Sequence, residues 1–222
     1  MRRAPGGPQT EVVSVREVYL DSAAIVTALL AHPAVAECWA APSALPRMRV
    51  GALTAHLVFQ ITQVPPVLDA PVENDRVALP EHFARSTWID ADLDSEVHTY
   101  IRRVSEQEAT AGAPALSESA VIALAELRRR LPAEPPERVI QLPFGPWALT
   151  LDDYLTTRLL ELVVHTDDLA TSLGVTTPEF PPSCFDAVTA VLCHLAARRH
   201  GRPALLRALS RAERAPATIA GL

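Results

Sequence analysis

The sequence predicts an all-α fold, a single helical bundle domain with additional short helices. Apolar residues recur at spacings of three and four through most of the chain, which is the periodicity of an amphipathic helix. Runs that alternate strictly between apolar and polar residues, as strands require, are nearly absent. With 222 residues, 49% of them hydrophobic, the chain can bury a sizeable core. The domain is assigned to residues 11–215, between an N-terminal tail of residues 1–10, expected to be disordered, and a C-terminal tail of residues 216–222.

The first part of the chain predicts helices separated by proline-rich loops. Helices are expected over residues 11–31, 48–64, 80–111 with a break near 90–94, and 117–131. Pro33 is expected to end the first helix, and Pro65 and Pro66 the second, because proline lacks the N–H that a helix interior needs. Residues 65–79 are therefore predicted to form a loop.

The second part of the chain predicts three further helices, over residues 151–173, 182–200 and 203–212. Gly174 and Gly201 follow the first two, in the position where a helix commonly ends on a left-handed residue. Residues 138–142 are predicted to form one short extended piece at the periphery, before a turn that contains Pro143 and Gly145.

Composition and charge exclude several classes of function. All twenty basic residues are arginine, which excludes Schiff-base and P-loop lysine chemistry. A net charge of −6 and an aromatic content of 5% argue against nucleic-acid binding, because an acidic surface repels phosphates and few rings are present to stack on bases. Three cysteines without a CxxC spacing are expected to be reduced: Cys38, Cys184 and Cys193.

Hydropathy predicts a soluble, cytoplasmic protein. The longest apolar stretch, residues 23–41, is interrupted by His32, Pro33 and Glu37, and so falls short of the roughly 20 apolar residues of a membrane helix. Proline and glycine at positions 5–8 occupy the place where a signal peptide would have its apolar core.

The helix over residues 151–173 carries the most informative pattern. An apolar stripe, interrupted by one threonine, is formed by Leu155, Leu159, Leu162, Thr166, Leu169 and Leu173. A polar row with the same spacing lies beside it, formed by Tyr154, Arg158, Glu161, His165 and Asp168. Charged groups this close to a core cost several kcal/mol unless they are paired, bind an ion or face a cleft.

Two members of this row are candidate metal ligands. Glu161 and His165 are four residues apart, so their side chains project from one helix face and can converge on one ion. His56, in the middle of an otherwise apolar helix, is the best candidate for a third ligand. Two histidines and one carboxylate leave an open position, as in catalytic zinc sites. Alternatively, Arg158 pairs with Glu161, and His165 with Asp168 or Thr166, as ordinary helix contacts.

Two segments carry a resemblance to a known family. MRVGALTAHLVF (48–59) and RLLELVVHTDDLATSLG (158–174), together with GRPALLRALSRAERAP (201–216), resemble the mycothiol-dependent maleylpyruvate isomerase family of the DinB superfamily. The resemblance implies a DinB-like four-helix bundle with a divalent metal, usually zinc, held by His56, Glu161 and His165. Arg158 and Asp168 would orient Glu161 and His165.

The resemblance also implies a chemistry. The metal would turn a low-molecular-weight thiol, mycothiol or a similar one, into a thiolate for S-transfer to a small electrophile or for its cis–trans isomerisation. Arg85 is the candidate that would hold a substrate carboxylate, and a homodimer is compatible with the chain. Members that isomerise maleylpyruvate carry a second, sterol-carrier-type domain, for which residues 201–222 are too few. The alternatives are a non-catalytic DinB-like metal- or ligand-binding protein with a stress or regulatory role, and a hydrolase that uses metal-bound water.

Overall fold

The structure, a computed structural model, describes residues 13–222 and confirms the all-α fold. The predicted tail of residues 1–10 lies outside the described residues. In chain order the elements are α1 (Val15–Leu30), α2 (Pro33–Glu37), α3 (Val50–Thr62), α4 (Val64–Asp69), α5 (Leu79–Arg85), α6 (Glu96–Glu108), α7 (Ala113–Arg130), β1 (Val139–Gln141), β2 (Ala148–Thr150), α8 (Leu151–Leu173), α9 (Pro182–His200) and α10 (Arg202–Ser210).

Four of the long helices form the bundle. Helices α1 and α3 each pack against both α7 and α8, which closes a ring of four around one core. Leu53 and Leu57 from α3 meet Leu155 and Leu159 from α8 in that core, and all four side chains are fully buried. Helix α6 packs on the outside of α3, and α9 on the outside of α8. The structure thereby confirms the predicted bundle with additions.

The first helix is shorter than predicted, because a capping box sets where it begins. The Ser14 side chain accepts from the first turn of α1, and the Glu17 side chain accepts from the backbone N–H of Ser14. The helix therefore starts at Val15 rather than at residue 11. It ends at Leu30, and Pro33 occupies the first turn of α2.

Prolines begin helices in this chain as well as ending them. Helix α3 ends at Thr62, and Pro65 and Pro66 lie in the first turn of α4. The N–H groups of a first turn have no acceptor within the helix, so proline costs no hydrogen bond there. The prediction of a loop from residue 65 was therefore wrong for residues 65–69. Pro114 similarly lies in the first turn of α7, which begins at Ala113 rather than at residue 117.

The predicted break within residues 80–111 is confirmed and is wider than expected. Helix α5 ends at Arg85 and α6 begins at Glu96, where Ser95 accepts a hydrogen bond from a first-turn N–H. The ten residues between them form turns and bends.

The extended piece at residues 138–142 is one strand of a hairpin, so the expectation of a single peripheral strand was wrong. Strand β1 pairs antiparallel with β2, and Ile140 lies opposite Leu149, both fully buried. Strand β2 continues directly into α8, where the Thr150 hydroxyl accepts from the N–H of Asp153 at 3.0 Å. The hairpin thereby fixes the start of the helix that carries most of the candidate site.

The bounds of α8 and α9 are those predicted. Gly174 has φ 66° and Gly201 has φ 85°, backbone conformations that favour glycine. The last residues of the chain return to α9, since the His200 ring lies 2.9 Å from the carbonyl oxygen of Ala220 and Gly221 is buried against the helix.

A buried arginine joins α1 to the start of α8. Arg16 Nε donates to Asp152 at 2.8 Å, and its other nitrogens donate to the carbonyl oxygens of Leu131, Glu134 and Pro135. One side chain thus donates to acceptors in two distant parts of the chain, the segment 131–135 and the first turn of α8. Within residues 13–222, no helix is long and apolar enough to cross a membrane.

Candidate metal centre

Three side chains from two packed helices converge at one point of the bundle. His56 projects from α3, and Glu161 and His165 project from successive turns of α8. Glu161 Oε2 lies 3.3 Å from His56 Nε2 and 3.2 Å from His165 Nε2. The three candidate ligand atoms all lie within 4.8 Å of one another.

This arrangement fits a tetrahedral metal ion. Zinc bonds to histidine nitrogen and carboxylate oxygen are about 2.0–2.2 Å long, so neighbouring donors around a tetrahedral zinc are separated by about 3.3 Å. Two of the three separations here have that length. The donor set, two imidazole nitrogens and one carboxylate oxygen, is also one that zinc accepts.

The cluster is enclosed but reachable. The side chains of His56 and Glu161 are each 16% exposed, and that of His165 is 19% exposed. The three side chains are therefore mostly shielded from water but keep some solvent access.

The electrostatics of the cluster favour a charged carboxylate. Burial by itself raises the pKa of Glu161, but the hydrogen bonds from His165 and His56 outweigh it and hold the pKa well below its usual range. Burial lowers the pKa of His56. For His165 burial acts in the same direction, but its bonds to Asp168 and Glu161 prevail and raise the pKa to about 9. These shifts favour a charged Glu161 carboxylate beside a protonated His165.

Asp168 orients His165. Its Oδ2 lies 2.9 Å from Nδ1 of His165, one turn back along α8. With the proton on Nδ1 held by this carboxylate, Nε2 is the ring nitrogen directed at Glu161. Histidines that ligate metals usually have such a partner on the other ring nitrogen.

Arg158 contacts Gln60 on the other helix, and Gln60 lies against His56. Its Nη1 donates to Gln60 Oε1 at 2.5 Å, and Gln60 Nε2 donates to the carbonyl oxygen of His56 at 2.9 Å and lies 3.3 Å from His56 Nε2. Because arginine only donates, the Gln60 oxygen must face it and the amide NH₂ must face His56. Among the described residues Arg158 makes no hydrogen bond to Glu161, so the alternative of an Arg158–Glu161 pair was wrong. That Arg158 helps to orient the ligands stays a prediction.

Gln60 is the residue of the site that sequence reasoning did not select. The available signal was a polar side chain four residues after His56, on the same face of a helix that is otherwise apolar. Its significance depends on Arg158, which lies 98 residues further along the chain.

The structure does not bring Arg85 into this cluster. Its guanidinium pairs with Glu81 on the same helix and lies 5.6 Å from the centre of the Trp147 ring. Trp147 Nε1 in turn donates to His82 Nδ1 at 3.1 Å. Among the described residues, the polar and ring contacts of Arg85 are those with Glu81 and Trp147.

Fold and site together define a helical-bundle protein with a candidate two-histidine, one-glutamate metal centre. Residues 19–170 match the family model of the mycothiol maleylpyruvate isomerase N-terminal domain, and the chain belongs to this family. The matched range contains all three residues of the cluster and confirms the resemblance seen in the sequence. Comparisons with curated proteins and with solved structures gave no match.

Proposed function

We propose that this protein is a metal-dependent enzyme that activates a low-molecular-weight thiol, mycothiol or a similar one. The thiol is transferred to a small electrophile or catalyses its cis–trans isomerisation. The observation that carries the proposal is the convergence of His56, Glu161 and His165, whose donor atoms are separated by 3.2 and 3.3 Å across the carboxylate. The family match supports the choice of thiol.

The ligand set accounts for the choice of cofactor. A divalent ion, zinc in our proposal, would be held by His56, Glu161 and His165, which leaves a coordination position for a thiol. One carboxylate leaves the centre with a net positive charge, and an ion of this kind lowers the pKa of a bound thiol so that it is a thiolate at neutral pH.

The protein's own residues position the ligands and provide a cation. Asp168 holds His165 in the orientation that presents Nε2. Arg158 places a positive charge beside the site, and within residues 13–222 its Nη2 has no hydrogen-bond partner. Because Arg85 is already paired with Glu81, we assign to Arg158 the role of attracting an anionic thiolate or substrate carboxylate.

Both reactions balance without a redox partner. In isomerisation, the thiolate sulfur adds to one alkene carbon while the π electrons move toward a conjugated carbonyl. After rotation about the new single bond, the electrons return and the same thiolate leaves. In transfer, the carbon–sulfur bond is retained, and a leaving group departs or a proton is taken up at the neighbouring carbon.

The first test is the metal content of protein purified without chelator and without a metal-affinity tag. About one ion per chain is expected in the wild type, none in His56→Ala or His165→Ala, and a reduced amount in Glu161→Gln, which keeps the shape but removes the charge. Helicity should be retained in all three variants because the bundle is held by its apolar core. His194→Ala, at an exposed position of α9, is the control and should retain the ion.

The second test is turnover of mycothiol with a set of small electrophiles by the metal-loaded protein. Thiol-dependent turnover that is lost in His56→Ala supports the proposal. Metal binding without any turnover would instead indicate a non-catalytic binding protein. Ester hydrolysis that needs no thiol would instead indicate a hydrolase. Absence of metal in the wild type, even after reconstitution, would overturn the proposal.

The homodimer, the cytoplasmic location and the absence of nucleic-acid binding stay predictions.

A further inference from the structure

An open apolar cavity of about 380 Å³ lies at the C-terminal end of α3, the helix that carries His56. Its walls come from the end of α3, from α4 and from the turn between β1 and β2. The apolar side chains that line it include Phe59, Pro66, Val67 and Phe144. None of the residues that line the cavity is ionisable.

One wall of the cavity is the Phe144 ring, which lies on the hydrogen-bonded turn between β1 and β2. Phe144 is 73% exposed, and its ring centre lies 6.1 Å from that of Phe59. Gln141 Nε2 donates to the carbonyl oxygens of Leu142, Gly145 and Trp147, which closes the turn on itself. A large exposed ring loses solvent-exposed apolar area when a ligand covers it.

The cavity and His56 lie on the same face of α3. Phe59 and Gln63 follow His56 by three and seven residues, so they share its side of the helix. Gln63 Nε2 donates to Gln60 Oε1 at 3.2 Å, and Gln60 lies against His56. At 1.5 Å per residue, the distance along the helix from His56 to Gln63 is about 10 Å, which one small substrate can span.

We infer that this cavity binds the apolar, aryl-sized part of the electrophilic substrate and so selects electrophiles that carry such a group. The inference rests on the proposed function. A cavity of about 150 Å³ holds a benzene ring, so the volume here accommodates a group of one or two rings. The lack of charged groups disfavours a carboxylate, and the mainly apolar lining disfavours the sugar portion of a glycosylated thiol.

The test begins with binding, which is read independently of activity. Prodan, a neutral two-ring dye, is titrated into the wild type and into His56→Ala, and similar affinity is expected for both because the cavity does not include the metal ligands. Phe144→Ala should weaken prodan binding about tenfold by removing one aromatic wall. Ala70→Phe, which adds a ring at another lining position, should weaken it as well. Phe185→Ala, a change at another exposed phenylalanine that lies on α9 and does not line the cavity, should have no effect.

The activity arm compares an aryl-substituted electrophile with its methyl analogue in the metal-loaded protein. Phe144→Ala should raise KM for the aryl compound about tenfold and leave the methyl compound within about twofold. Equal effects on both compounds, or prodan binding that Phe144→Ala and Ala70→Phe do not change, would overturn the inference. A third outcome separates the two proposals: both variants weaken prodan binding, but the wild type turns over no thiol. This result would support the cavity as an aryl-binding site and would overturn only the proposed function.

Discussion

Arg158 and Gln60 connect the two helices of the candidate site, with Nη1 of Arg158 on α8 lying 2.5 Å from Oε1 of Gln60 on α3. The same guanidinium lies 5.2 Å from the centre of the Tyr154 ring, which restricts its position further. One arginine therefore sets the amide that faces His56 and also places a positive charge at the side of the cluster.

Replacement of Arg158 should affect the thiol more than the metal. Arg158 contacts no candidate metal ligand directly, so in Arg158→Met the metal Kd should stay within about threefold. The thiolate loses an attracting cation, so kcat/KM for the thiol should fall about tenfold. Metal competition assays and steady-state kinetics measure the two quantities. Arg85→Met is the matched variant and should change kcat/KM by less than about threefold, because Arg85 is already paired with Glu81. A larger loss in Arg85→Met than in Arg158→Met would return the cation role to Arg85.

Asp168 should control metal affinity through His165. In Asp168→Ala the ring loses the acceptor at Nδ1, and we expect metal affinity to fall by about 10- to 100-fold with the circular dichroism spectrum unchanged. Titration against a chromophoric chelator measures the affinity. The neighbouring Asp167→Ala removes an exposed carboxylate that accepts from Thr177 and should not change metal affinity. Equal affinities for the wild type and Asp168→Ala would show that the His165–Asp168 bond has no part in metal binding.

Arg16 should be a major contributor to stability. Arg16→Met leaves the buried carbonyl oxygen of Leu131 and the part-buried carbonyl oxygens of Glu134 and Pro135 without their donor. We expect this change to lower the free energy of unfolding by about 2–3 kcal/mol. Urea denaturation measures the change. Asp152→Asn should cost less than about 1 kcal/mol, because the Asp152 side chain is 46% exposed and water can replace its partner. A loss in Asp152→Asn as large as that in Arg16→Met would assign the stabilisation to the ion pair instead.

His82 should make stability depend on pH. Burial, with a further contribution from the positive charge of Arg158, lowers the pKa of His82 from 6.5 to about 4. Between these values the unfolded chain binds a proton that the folded chain does not, so the stabilising contribution is complete above pH 6.5 and is lost as the pH falls toward 4.

The measurement for His82 is urea denaturation at several pH values for the wild type and His82→Gln, which keeps an acceptor for Trp147 without a titrating ring. The loss of unfolding free energy between pH 6.5 and pH 4 should be smaller in the variant by about 1–2 kcal/mol, after allowance for partial solvent access. Identical pH profiles would contradict the prediction.

Helix ends that depend on local chemistry could be predicted from the sequence, and those that depend on context could not. The start of α8 follows from the Thr150 cap, and its end follows from the left-handed conformation at Gly174. Pro65 and Pro66 were misread because a proline pair is compatible both with the end of one helix and with the first turn of the next.

Gly51 shows how a sequence motif can conceal a tertiary requirement. It opens the pattern that leads to His56, but its φ is not one that demands glycine. A Cβ at this position would lie 2.7 Å from Cε2 of Trp39, so the ring packs where any side chain would be. That close approach cannot be read from the neighbouring residues.

The sequence by itself determined the all-α class, the family and the pairing of Glu161 with His165, because helical periodicity, motif spacing and an i, i+4 separation are local properties of the chain. Only the tertiary structure decided that His56 reaches the same point, across a separation of 105 residues, and that Arg158 selects Gln60 over Glu161. It also formed the cavity between Phe59 and Phe144. These contacts depend on how α3, α8 and the hairpin pack, which the spacing of residues along the chain does not specify.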